Sequence, residues 1–268
     1  MNASSTERFS SRVENYVKYR PHYPKEVIFA LREHTGLQPR HIIADVGSGT
    51  GISTELFLEN GNMVYGIEPN QAMREAGEKY LTTLKNFRSI DGTAEATTLP
   101  EHSVDYIIAG QAFHWFKLDE TYAEFTRILK PGGWVAIIWN DRQTDTTPFL
   151  RDYEQLLLTF GTDYVQINHR NLHTPSAPDA NIEASNSSRT LDFFRGNPVM
   201  QLQFENNIRM DYAGLEGRLL SSSYVPNVGE ANYQPMLERL RELFDRYAIN
   251  GEVEIRYTAL LYAGQFAR

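Results

Sequence analysis

The chain contains no cysteine, which excludes disulfides, thiolate metal sites and a cysteine nucleophile, and suits a reducing compartment. It has no long apolar run. Stretches such as "VAIIW" at 135–139 are strand-sized and far too short to cross a bilayer. The opening "MNASSTERFSSRVENYVKYR" lacks the apolar core of a signal peptide. Basic runs are missing as well. With 26 basic against 34 acidic residues the net charge is −8, so a grip on nucleic-acid backbone is not expected. The seven histidines show no metal-ligand spacing, so no metal is expected. The expectation is a cytoplasmic protein that engages neither membrane nor nucleic acid, and that is a monomer or a homodimer.

What is present suits a folded enzyme-sized core. A length of 268 residues with 41% hydrophobic residues accommodates one large α/β domain, or a core with a smaller lobe. "HIIADV" (41–46), "MVYGIE" (63–68), "VDYIIAG" (104–110) and "WVAIIWN" (134–140) read as buried parallel strands, with "NFRSI" (86–90) a further short one. Met73, Ala76, Tyr80 and Leu84 form a helical stripe, and Tyr122, Phe125 and Leu129 mark another helix, stopped by "KPGG" at 130–133. This rhythm predicts a doubly wound, Rossmann-like, mostly parallel sheet.

After Asn140 the pattern changes. Residues 144–160 have helical spacing, and the polar stretch 168–190 reads as a long loop. "VMQLQFE" alternates strictly, as a half-exposed antiparallel strand does. A helix is predicted over 233–248, and "EVEIRYTALLYAGQFA" reads as a second late strand. The segments expected are a cofactor-covering 1–36, a binding core 37–140, a cap 141–198, and a part 199–268 that completes the sheet, of which 211–232 also joins the cap.

The stretch "ADVGSGTGIS" (44–53) places Gly47, Gly49 and Gly51 at relative positions 1, 3 and 5, with Ile52 where a dinucleotide fingerprint wants its sixth-position glycine. That glycine lets a helix pack close under a pyrophosphate, so its lack favours a ligand without one. Glu68 follows Gly47 by 21 residues, at the tip of the second strand, where a carboxylate accepts both ribose hydroxyls. Together they indicate a nucleoside ligand; the plainer alternative is an ordinary tight turn and a solvated Glu.

"DVGSGTG", "GIEPNQAM", "GTAEATTLPEHSVDYIIAGQAFHWF" and "LKPGGWVAIIWN" resemble, in order and spacing, the motifs of class I S-adenosylmethionine-dependent methyltransferases, in particular the small-molecule branch of trans-aconitate methyltransferase and its relatives. The resemblance is strong over roughly 40–140 and weaker at "YVKYRPHYP" (16–24), "GRLLSSSY" (217–224) and the closing strands. It implies that Gly47, Gly49 and Gly51, with Asp45 and Ser48 of the same motif, lie beneath the methionyl and ribose parts of S-adenosylmethionine, which leaves as S-adenosylhomocysteine. It implies that Glu68 binds the ribose, that Pro69 and Asn70 lie near the adenine, and that the backbone of Gln111 holds the methionine amine. Thr93 stands where an adenine-reading Asp is usual, so Ala94 and Glu95 take a share of that contact. Tyr16 and Arg20 would close over the cofactor, "AFHWF" would line the reaction centre, and late antiparallel strands are a trait of the family.

Methyl transfer mainly needs alignment of acceptor and methyl and exclusion of water, and needs a base only when the acceptor must lose a proton. His114 is the candidate base in the motif region, or else a structural histidine beside Trp115. Phe113, Trp115 and Phe116 either pack around the sulfonium or are core. Arg218 and the serines 221–223, with Tyr224 beside them, would suit an acidic acceptor, because an Arg fork matches a carboxylate; they equally suit a helix-capping loop. The small-molecule acceptor could be methylated on O or N. Two other classes stay open at this point, a nicotinamide-dependent oxidoreductase and a non-catalytic S-adenosylmethionine-binding protein.

Overall fold

A computed structural model describes residues 18–162, 164 and 183–267. Their chain order is α1 (Glu26–Thr35), β1 (Ile42–Val46), α2 (Ile52–Glu59), β2 (Met63–Ile67), α3 (Gln71–Tyr80), β3 (Phe87–Ile90), β4 (Val104–Gly110), a 3-10 turn (Phe113–Trp115), α4 (Leu118–Ile128), β5 (Leu129–Arg142) and α5 (Pro148–Phe160). Then come α6 (Glu183–Phe193), β6 (Val199–Glu205), β7 (Ile208–Met210), α7 (Tyr212–Leu220), α8 (Tyr233–Tyr247), β8 (Val253–Ile255) and β9 (Tyr257–Gly264). Seven strands form one sheet in the order β3-β2-β1-β4-β5-β9-β6. The first five are mutually parallel, and β9 runs antiparallel to both β5 and β6. This is the class I methyltransferase arrangement, a Rossmann-like sheet with late antiparallel strands.

Period-two alternation divides the strand side chains between two cores. Ala44, Ile107, Val135, Ile137 and Trp139 enter one, while Ile43, Ile108, Ala136 and Ile138 enter the other. A third core gathers α5, α7, α8 and the β7–β8 ribbon around Tyr153, Leu215, Leu240 and Ile255. The helix α8 therefore packs with the cap helices.

Three sequence readings need correction. The stretch 168–190 is not loop throughout: 168–182 lies outside the described residues, but α6 begins at Glu183. Its Asn and Ser residues favour helix poorly, so burial of Thr190, Phe193 and Phe194 overrides local preference. The closing stretch is two strands. β8 pairs with β7 in a separate ribbon, and β9 enters the main sheet after Arg256. The "KPGG" segment ends α4 yet is itself taken into β5, whose pairing with β4 jumps from Leu129 to Trp134 across a bulge containing Gly132 at φ +80.

Candidate functional site

β1 pairs with β2 on one side and β4 on the other, so the chain reverses its direction of sheet growth there, and a crevice opens at the carboxyl ends of these strands. The glycine turn leaves β1 into that crevice. Gly47, Gly49 and Gly51 have φ of +71, +55 and +91, values that L side chains rarely adopt. A Cβ on Gly47 would stand 2.5 Å from Ala112 Cβ. The amides of Gly47 and Ser48 both donate to Ile67 O (2.8 and 3.1 Å), which ties the turn to the end of β2.

Glu68 follows directly. Its Oε2 accepts from the Gly49 amide and its Oε1 from the Asn70 amide, both at 2.9 Å. Burial raises its pKa, and those two amides together with Arg74 pull it back in part. Each carboxylate oxygen keeps a lone pair for a ligand hydroxyl. Asp45 is fully buried, and burial pushes its carboxyl up to about 6 against the hydroxyl bonds of Thr54 and Ser53. Both hydroxyls reach the same oxygen, Oδ2, at 2.7 Å, so Oδ1 is left buried without a hydrogen-bond partner among the described residues.

At the end of β4, Gln111 adopts φ +56, an uncommon conformation for a residue with a side chain. Its amide donates to Ile138 O (3.0 Å) and its Oε1 accepts from the Asn140 amide (2.8 Å). Asn140 also donates to the carbonyls of Pro21 and His22, and Asn206 donates to His22 O, so residues 20–23 are pinned across the crevice. Tyr19 lies against Gly217 of α7, and Arg20 donates to Ser221 O (3.1 Å).

The cavity beneath this strap is lined by Gly47, Ser48, Gly49, Thr50, Ile52, Ser53, Gly110, Gln111 and Asn140, and from above by Arg20, Pro21, Tyr23, Arg218 and Tyr257. The structure thus brings Arg20, Gly47, Ser48, Gly49, Gln111 and Arg218 together around one space. Glu68 adjoins it through Gly49. Pro69 is exposed, as is Thr93, whose backbone pairs with Ala96. Ala94 is buried, and the Glu95 carboxylate accepts from the Lys117 amide. His114 and Trp115 are exposed, with the His114 ring stacked on Trp139 at 5.6 Å, and neither lines the cavity. Phe113 and Phe116 belong to the core. Tyr16 lies outside the described residues.

Sequence reading missed Thr50, Asn140 and Tyr257. A polar residue closing an apolar strand was the available signal for Asn140. Nothing local marks Tyr257, which reaches the site only because β9 inserts beside β5.

Behind the strap the chemistry is basic and phenolic. Arg142 and Glu154 form a buried ion pair, and Tyr164 links both of them. Burial pushes the Tyr224 phenol up, but the guanidiniums of Arg218, Arg142 and Arg20 outweigh it and leave it below its usual range. No group of three or more metal-ligating side chains occurs among the described residues, and none of their helices is long and apolar enough to cross a membrane.

Residues 44–137 match the family model described as a methyltransferase domain. An uncharacterized methyltransferase of Schizosaccharomyces pombe is 31% identical over 156 residues, covering 56% of this chain and 58% of that one. An uncharacterized methyltransferase of Mycobacterium tuberculosis is 33% identical over 134 residues, or 50% of this chain and 52% of that one. The chain spans between half and three fifths of the length of these relatives. Among solved structures, a candidate type II methyltransferase from Anaeromyxobacter dehalogenans superposes with a TM-score of 0.63 at 23% identity, covering 92% of this chain and 98% of that one.

Proposed function

We propose that this chain carries a class I methyltransferase domain and transfers a methyl group from S-adenosylmethionine to a small organic acceptor. One observation carries the reading: the buried Glu68 carboxylate docked on the Gly49 amide, beside a cavity at the sheet's switch point. The residues present fit the cofactor. Thr50 lines the cavity, and its buried Oγ1, like Asp45 Oδ1, has no hydrogen-bond partner among the described residues. Buried polar atoms of this kind call for a polar ligand.

When bound, S-adenosylmethionine supplies an electrophilic methyl on a sulfonium. The chain's own part is to hold and exclude. Glu68 accepts from the ribose hydroxyls, and the side-chain-free turn lets the backbone approach. The backbone of Gln111 takes the amine end, above the turn that Asp45 ties to α2 through Ser53 and Thr54. Pro21, held with His22 by Asn140, and the adjacent Tyr23 keep water out. A nicotinamide enzyme is the weaker reading, because Ile52 opens α2 where the pyrophosphate would need a glycine.

Calorimetric titration with S-adenosylhomocysteine and with NAD tests the choice. S-adenosylhomocysteine should bind and NAD should not. Glu68→Ala should weaken S-adenosylhomocysteine by about tenfold or more, since two bonds to an ionised acceptor are lost; an unchanged Kd removes the ribose role.

A further inference from the structure

We propose that the outer edge of β6 is a self-association surface, on which a second copy of the chain adds its own β6, antiparallel and centred on Leu202, so that two seven-stranded sheets join into one. The sheet has two edges, β3 and β6. β3 is protected in a common way: it has four residues, and its exposed Arg88 donates to the carbonyls of Lys85 and Phe87. β6 carries no such device. Its seven residues, Val199–Glu205, include no Pro, Gly, Lys or Arg, and they pair with β9 without a bulge. Among the described residues no strand pairs with its other side.

One bond fixes which main-chain groups point outward. The Asn206 amide donates to Tyr257 O of β9 at 3.0 Å. In an antiparallel ladder the N–H and C=O of one residue point the same way, and the direction alternates along the strand. Met200, Leu202 and Phe204 therefore turn these groups to β9, and Val199, Gln201, Gln203 and Glu205 turn theirs away. A two-fold axis through Leu202 is the register that pairs all seven residues. It sets Gln201 opposite Gln203 of the second copy and Val199 opposite its Glu205, as the hydrogen-bonded pairs that the outward groups require. Leu202 then meets its own copy, and Met200 meets Phe204, in the non-hydrogen-bonded pairs where side chains come closest. These three apolar residues are only partly buried against the core of Ile43 and Leu261, so the pairing covers what they leave exposed.

Charge agrees with this register. Glu205 is the only charged residue of β6, and the axis holds its two copies at opposite ends of the paired strands. Each lands beside Val199, at a crevice also lined by Arg195, Asn197, Gln201 and Asp192. Arg195 lies 3.8 Å from the centre of the Tyr122 ring and pairs with the exposed Asp119 at 2.9 Å. A guanidinium has five N–H donors, so Arg195 has room for a second carboxylate and offsets the presence of Asp192.

The test is sedimentation velocity of the full chain over about 1–200 µM, because a seven-residue edge pair is a small interface and a dimer with Kd of about 10–100 µM is expected. Gln201→Lys with Gln203→Lys sets like charges opposite each other twice and should weaken the dimer about three- to thirtyfold. Gln201→Lys with Gln203→Glu sets opposite charges at the same places and should leave the dimer at least as tight as the parent. All of these substitutions alter exposed side chains. The chain has no cysteine, so Leu202→Cys adds a single thiol, which on the axis should cross-link under mild oxidation. Gln203→Cys, which faces Gln201 of the second copy, should not. Should a charge variant fail to fold, the two cysteine variants decide. The proposal is overturned by a chain that stays monomeric over the whole range, or by a lysine pair that dimerises as tightly as the parent. A lysine–glutamate pair weakened as much as the lysine pair, or cross-linking at 203 and not at 202, overturns it equally.

Discussion

The two walls of the cavity are built on opposite principles. The floor is mostly one short piece of chain, 47–53, with its left-handed glycines and main-chain amides backed by Glu68 and Asp45, and Gly110, Gln111 and Asn140 complete it from the ends of β4 and β5. The roof is assembled from Arg20, Arg218 and Tyr257, residues far apart in sequence, and is basic and phenolic. A floor of this kind suits a ligand that varies little, since its shape is fixed by φ and by hydrogen bonds between main-chain groups. A roof of side chains can change its chemistry one residue at a time while the floor stays the same. The two walls are in this way mechanically separable.

The severest way to break the floor is Gly47→Val. It forces a branched side chain to φ +71 and its Cβ against Ala112. Calorimetry should show at least a hundredfold loss of S-adenosylhomocysteine binding, and the variant should be destabilised by about 2–4 kcal/mol. Retained affinity would mean that the turn does not shape the cofactor site.

The counterpart away from the cavity lining is Glu154→Ala. It strands Arg142 as a buried, uncompensated charge and should cost about 3–5 kcal/mol in denaturant unfolding. Where the variant is folded, its affinity for S-adenosylhomocysteine should stay within about twofold, because additivity holds for sites without shared partners. A large loss of cofactor affinity would show the Arg142–Glu154 pair to be coupled to the floor.

The smallest effect is expected at His114. A general base contributes about a hundredfold or more, yet this ring is exposed and stacked on Trp139 outside the cavity. Turnover of His114→Gln should fall by less than about tenfold in steady-state assays, and a larger loss would return the proton-transfer role to it.

The same contrast explains what could be read from the chain alone. The sheet's parallel half was legible because buried strands are continuous apolar runs, and the glycine turn because its conformation demands a residue type. Glu68 was legible by its place at a strand tip. The roof was legible only in fragments. Arg218 was singled out by charge, but its partner Tyr257 depends on where β9 inserts, which no local pattern encodes. The helix α6 was misread for a related reason: its stability comes from Thr190, Phe193 and Phe194 packing on the sheet.

The position of β9 also fixes the order in which the molecule can be completed. This strand is next to last in the sheet but last in the chain, with Val135–Arg142 of β5 on one flank and Val199–Glu205 of β6 on the other. During synthesis the five parallel strands can assemble early, yet β5 then presents an unpaired edge, and β6 has nothing to join. An edge of that length is a template for pairing with another chain. Only when residues 257–264 emerge do the two halves zip together, and Tyr257, at the first position of that strand, is delivered in the same event. Loss of the final strand would therefore expose a sticky edge and remove Tyr257 from the cavity at once, while the glycine turn, whose contacts are local, could already have formed.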